Sequence, residues 1–168
     1  MLPFILRNSE RGSLEYNQVA YNVDFMKWRR LFGFKGGYLN NIWQIAAFME
    51  SEQGHKAVGL GVQSVLWSDA RIFNGFSHTA GNCTMLLITE YALRESKGLA
   101  FETLLDLLGQ ILPVVFECGK KITCNDILRM TFMLNTLVDV DNAAWLLYYR
   151  KNGIEEFDKM IPEDINRH

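Results

Sequence analysis

The feature that most constrains this chain is a change in the period of its apolar residues. Asn17-Gln18-Val19-Ala20-Tyr21-Asn22-Val23-Asp24 alternates polar and apolar side chains, the two-residue period of a half-buried strand. Asn41 to Glu50 is a second, apolar and aromatic strand candidate. Ser51-Glu52-Gln53-Gly54-His55 reads as a turn centred on Gly54, and Lys56 to Val62 as the returning strand. These segments predict an antiparallel meander of about three strands. From Asn82 onward the period becomes helical. Asn82 to Lys97 reads as one helix stopped by Gly98, and Phe101 to about Cys118 as a second, with Pro113 expected to bend or break it. Thr123-Cys124-Asn125-Asp126 has the pattern of a capping box opening a further helical stretch to Asn152. One straight helix of that length would run about 40 Å, so a break near Asp139 is expected. Arg150 and Lys151 suit a helix C-terminus, Gly153 a stop, and Ile154 to Ile161 a short amphipathic piece. Strands first and helices after predict an α+β fold. The expected layout is a single domain over 1–168, with a meander and loop in 1–65 and a bundle of three to four helices in 80–162.

Composition narrows the function classes. Hydrophobic residues make up 49% and charged residues 21%, which suits a packed globular chain. At 168 residues there is no room for a (β/α)8 barrel, which takes about 250. A net charge of −2 lacks the basic footprint of a dedicated nucleic-acid binder. No apolar run approaches the ~18 residues of a membrane-spanning helix. The apolar start, Met1 to Arg7, is too short for a signal peptide and has no basic leader. Cys83, Cys118 and Cys124 cannot all pair and form no Cys-x-x-Cys, so reduced thiols in a cytoplasmic chain are expected.

The search for chemistry leaves little catalytic machinery. Gly59-Leu60-Gly61 lacks the third glycine and following helix of a dinucleotide loop, so it reads as a glycine-rich strand. His55, His78 and His168 are far apart, and Cys118 and Cys124 lack zinc-site spacing. Ser77-His78-Thr79-Ala80-Gly81-Asn82-Cys83 places a histidine near a thiol at a helix start, but a small core cysteine beside loop and cap residues is the simpler reading. Asp139 and Asp141, two apart on a helix, would point to different sides. No catalytic residue and no metal site are therefore expected. The most suggestive surface is Lys27 to Lys35, where four cations interleave with Trp28, Phe32 and Phe34. Such a loop could cover an anionic ligand, with Arg29, Arg30 or Lys35 on a carboxylate. It reads equally as a solvated turn anchored by its aromatics.

Two stretches together are similar to the enolase superfamily, in its mandelate racemase/muconate lactonizing enzyme branch. Ile45-Ala46-Ala47-Phe48-Met49-Glu50-Ser51-Glu52-Gln53-Gly54-His55-Lys56-Ala57-Val58-Gly59-Leu60-Gly61 resembles that branch's hairpin, which ends in Gly-aromatic-Gly-Glu. Leu137-Val138-Asp139-Val140-Asp141-Asn142-Ala143-Ala144-Trp145 resembles its Asp-x-Ala-Leu-Trp-Asp helix, here continuing to Gly153. Phe32 to Gly37 falls where the branch carries a flexible lid loop. The resemblance runs from about Asn17 to Pro162. It departs from the pattern at Leu60, at Val62 in place of Glu, at Leu146 in place of Asp, and in the extra length of Gln63 to Gly81.

The resemblance is to the N-terminal capping domain alone. In the branch, the Lys-x-Lys base and the metal-binding carboxylates sit on the barrel, and the parent reaction is a Mg²⁺-dependent racemisation, cycloisomerisation or dehydration α to a carboxylate. It implies a substrate-capping, specificity-determining module whose partner is a barrel domain, its own or separate, with a small carboxylate as the parent's substrate. The substrate-facing residues it implies are Trp28, Arg29, Arg30, Phe32, Phe34 and Lys35 in the lid, and Gln63, Trp67 and Asp69 in a second loop. The other reading is a self-standing α+β ligand-binding or interaction domain. A homo-oligomer is compatible with either; a nucleic acid or membrane partner is expected with neither.

Overall fold

A computed structural model describes residues 4–7, 17–24, 32–34, 37–39, 41–65, 69–101, 103–156, 159 and 161. The fold is α+β, as the change of period predicts. Among the described residues six strands are formed: β1 Phe4–Arg7, β2 Asn17–Asp24, β3 Phe32–Phe34, β4 Gly37–Leu39, β5 Asn41–Glu50 and β6 Lys56–Gln63. β1, β2, β5 and β6 make one antiparallel sheet in that order, and β3 pairs with β4 separately. The expected three-strand meander is therefore β2, β5 and β6. It gains β1 at one edge, whose Phe4 to Arg7 pairs with Ala20 to Asn17. Four residues are too few for a period to show.

β5 and β6 are joined by the Ser51–His55 turn. Ser51 N–H bonds His55 O at 2.9 Å, and Gly54 holds φ +82 there. The β6 side chains alternate strictly between buried and exposed. Ala57, Gly59, Gly61 and Gln63 face the helices, and Val58, Leu60 and Val62 face away.

Among the described residues five helices follow: α1 Ala70–Gly75, α2 His78–Glu95, α3 Leu104–Thr123, α4 Met130–Thr136 and α5 Val138–Asn152. α2 to α5 are the expected bundle, and α1, only six residues long, is added ahead of it. They enclose one core in which Met85, Ile88, Leu107, Ile111, Phe132, Met133, Val140 and Leu147 pack on Ala47, Met49 and Ala57 of the sheet.

Three local expectations change. α3 runs through Pro113 unbroken. The carbonyl that a proline ring crowds belongs to the residue four earlier. That residue is Gly109, which, like Pro113, is exposed, so water can serve the freed carbonyl. The capping box lies at Thr103 and Asp106, not at Thr123: Asp106 N–H bonds Thr103 Oγ1 at 3.3 Å, and Thr103 N–H bonds Asp106 Oδ2 at 3.0 Å. Because α3 extends past Cys118, Thr123 closes it, its hydroxyl bonding Gly119 O at 2.7 Å, with Cys124 in the left-handed region at φ 49. The expected break near Asp139 is present at Leu137 (φ −100, ψ 3), and Gly153 ends α5 at φ +60.

Candidate functional site

The most unusual surroundings in the molecule lie where α5 crosses β6. A Cβ added to Gly59 would stand 2.1 Å from Ala143 N and from Asp139 O, and one at Gly61 would stand 2.7 Å from Asp139 N. The helix backbone thus rests directly on the strand backbone, a contact only glycine permits. The Gly-x-Gly of the hairpin is a seat for α5.

That seat carries Asp139 into the interior. Its side chain is 0% exposed, and neither carboxylate oxygen has a hydrogen-bond partner among the described residues. Burial pushes its pKa up to about 7, against the pull of the backbone N–H groups of Asp139 and Val140. Asp141, two residues on, is only half-buried. Burial raises its pKa too, while a bond from the Trp145 side chain opposes the shift. The two carboxylates do point to different sides, as their spacing predicts.

Beside this seat lies a buried polar node. The break at Leu137 frees the Thr136 carbonyl, which accepts from Gln63 Nε2 at 2.9 Å and from Thr89 Oγ1 at 2.6 Å. Gln63 Nε2 also bonds Thr89 Oγ1 at 2.5 Å, whereas Gln63 Oε1 and the buried Trp43 Nε1 have no partner among the described residues.

Among the described residues β6 is an edge strand, and three of its outward carbonyls are occupied. Asn135 Nδ2 bonds Val62 O at 3.4 Å, Asn142 Nδ2 bonds Leu60 O at 2.7 Å, and Arg150 bonds Lys56 O. These side chains cover the groups through which a foreign strand would pair.

The sequence-derived site residues are placed separately. Trp28, Arg29, Arg30, Lys35 and Trp67 lie outside the described residues. Phe32 and Phe34 end β3, paired with Leu39 and Gly37. Gln63 is fully buried in the polar node. Asp69 is 3% exposed and caps α1: Oδ1 accepts from Arg71 N at 2.9 Å, while Oδ2 accepts from Arg129 N, just before α4, at 3.2 Å and from Asn125 Nδ2 at 3.5 Å. Its carboxylate is engaged in joining α1 to the start of α4. His78 stacks on Phe73 with ring centroids 5.5 Å apart, and burial lowers its pKa. Among the described residues, no group of three or more His, Cys, Asp or Glu is arranged to hold a metal ion. No helix of the described residues is long and apolar enough to cross a membrane.

The remaining surface feature is the sheet face opposite the helices. Val58, Leu60 and Val62 are 46%, 53% and 47% exposed. They stand in register with Phe48, Ala46 and Gln44 of β5. In turn, β2 sets Val19 against Ala46 and Tyr21 against Gln44. Further exposed apolar side chains, Ile127, Met130 and Leu134, lie at and just before α4. Scans of family models and searches of curated proteins and of solved structures find no match to this chain.

Proposed function

We propose that this chain is a substrate-capping and specificity module of the kind found in the mandelate racemase/muconate lactonizing enzyme branch. In this reading it works with a barrel domain, its own or separate, and supplies shape and water exclusion while the barrel supplies the chemistry. The parent reaction would be a Mg²⁺-dependent isomerisation or elimination α to a small carboxylate, with the metal and the base on the barrel. Support comes from the order of an antiparallel sheet followed by helices, and from the seating of the Asp-Asn-Ala-Ala-Trp helix on the glycines of the hairpin. The observation that carries the reading is the exposed apolar sheet face at Val58, Leu60 and Val62; Ile127, Met130 and Leu134 are further exposed apolar side chains at and before α4. Exposed apolar area beyond a few hundred Å² marks an interaction surface.

The test is light scattering after size exclusion, on the chain alone and mixed with a barrel half of such an enzyme from which the native cap has been deleted. The expected result is self-association of the chain alone and a 1:1 complex in the mixture. A monodisperse monomer that ignores the barrel would favour the self-standing domain.

A further inference from the structure

We propose that the α4–α5 junction is a proton-controlled latch, in which Asp139 sits on β6 as the neutral acid and loss of its proton releases the first turn of α5. The carboxyl is fully buried, and neither oxygen completes a hydrogen bond among the described residues; the nearby backbone N–H groups of Asp139 and Val140 favour the charged form, but burial outweighs them. A buried ionised carboxylate without partners is far costlier than a buried neutral one. The start of α5 is held close against β6 here: the Asp139 Cβ lies only 2.9 Å from where a Gly61 Cβ would stand. The movable element is the helix end itself. Leu137, two residues earlier, leaves helical geometry, so the first turn of α5 can hinge there without unwinding α4. On the far side of the hinge the Gln63–Thr89–Thr136 node fixes α4, and gives the motion a rigid base.

No compensating charge is supplied by the elements around the seat. On β6 the charged residue is Lys56, which pairs with Glu50 of β5 at 3.3 Å at the turn end of the hairpin. α4 carries no ionisable side chain between Met130 and Thr136, and Arg129 before it is exposed. On α2, Glu90 pairs with Arg94, Glu95 lies beside Tyr91, and His78 stacks on Phe73. On α3, Asp106 closes the capping box, and Glu117 pairs with Lys120, next to Lys121. On α5 itself, Asp141 is held by Trp145, Arg150 bonds Lys56 O, and Lys151 stands at the far end. None of these forms an ion pair with Asp139. The tightened hold on the proton matches this geometry: the carboxyl titrates near 7 when seated and near its ordinary 3.8 when released.

The sign follows from that difference. Below about pH 4 both states are protonated and the latch is shut. Between about pH 4 and pH 7 the released state alone loses its proton, so its population rises about tenfold per pH unit. Above pH 7 both states are ionised and the effect levels off.

The experiment is amide hydrogen exchange of residues 138–143 from pH 5 to pH 8, with Asp139→Asn as the comparison. The wild-type chain is expected to lose protection about tenfold per pH unit beyond the intrinsic rate up to pH 7, and Asp139→Asn to show no excess. Equal profiles in the two proteins would overturn the proposal. Should the variant fail to fold, the ¹³C carboxyl shift of Asp139 in the unmodified chain decides. A midpoint near 7 supports the latch, and one near 4 sinks it.

Discussion

Replacing Gly59 by alanine tests whether the glycine seat organises the helix–sheet contact. The added Cβ would meet two backbone atoms of α5 at 2.1 Å, where ordinary contact begins at 3.4 Å. Neither partner is a flexible side chain that could rotate away, so the helix must lift by about 1 Å, a gap that forfeits a quarter to a half of the local packing. The α5 side chains at stake are Val140, Ala143, Ala144 and Leu147, all buried. Burying such a set contributes about 5 kcal/mol, so the lift costs about 2 kcal/mol. For a chain of this size that lowers Tm by roughly 5 °C. Urea unfolding followed by circular dichroism and tryptophan fluorescence reads the change. Gly109→Ala is the control: it lies inside α3, and its Cβ would meet nothing within 4 Å. Alanine there is expected to stabilise by about 0.5–1 kcal/mol. If Gly59→Ala unfolds within 0.5 kcal/mol of wild type, the backbone-on-backbone seat does not hold α5 and the reasoning fails.

Two further outcomes follow from the buried carboxylates. Because Asp139 holds its proton to about pH 7 when folded and to about 3.8 when unfolded, its contribution to stability is fully present below the unfolded value and is lost as pH rises to 7. The slope is about 1.4 kcal/mol per pH unit. Asp139→Asn should flatten this dependence and be the more stable protein at pH 8, as denaturant midpoints across pH will show; a steeper slope in the variant would contradict the assignment. Asp69→Ala removes the cap of α1 and leaves the Arg129 N–H without its acceptor. It should cost about 2–3 kcal/mol at neutral pH, whereas a cost below 0.5 kcal/mol would mean the carboxylate joins nothing.

Much of the fold is legible in the sequence, and its failures have physical causes. β5 and β6 stand out because Gly54 must hold positive φ between two apolar runs, and α5 ends at Gly153 for the same reason. β1 escapes notice because Phe4 to Arg7 is a short apolar run with no alternation, and α1 because six residues are less than two helical turns. Thr123 misleads because a Thr-x-x-Asp sequence can open a helix or, as here, close the preceding one. The burial of Asp139 is the least legible fact. A carboxylate in the first turn of a helix ordinarily faces water and the positive end of the helix dipole. The signal was Gly59-x-Gly61, which invites a close-packed helix, but the sequence does not say which helix answers. Gln63 and Asp69 stand at the expected positions in the chain, yet their side chains bind the fold to itself: one amide spans two helices, and one carboxylate caps α1 and ties it to the residue before α4.

The proposed function requires the open apolar surface to meet a protein partner. Its most direct test is the concentration dependence of mass by light scattering for the wild-type chain and for Leu60→Lys/Val62→Lys. Wild-type chain should self-associate and should bind a cap-deleted barrel as a 1:1 complex. The double variant should be monomeric with an unchanged circular dichroism spectrum, and should no longer bind the barrel. A wild-type chain that stays monomeric and unbound at every concentration would contradict the account.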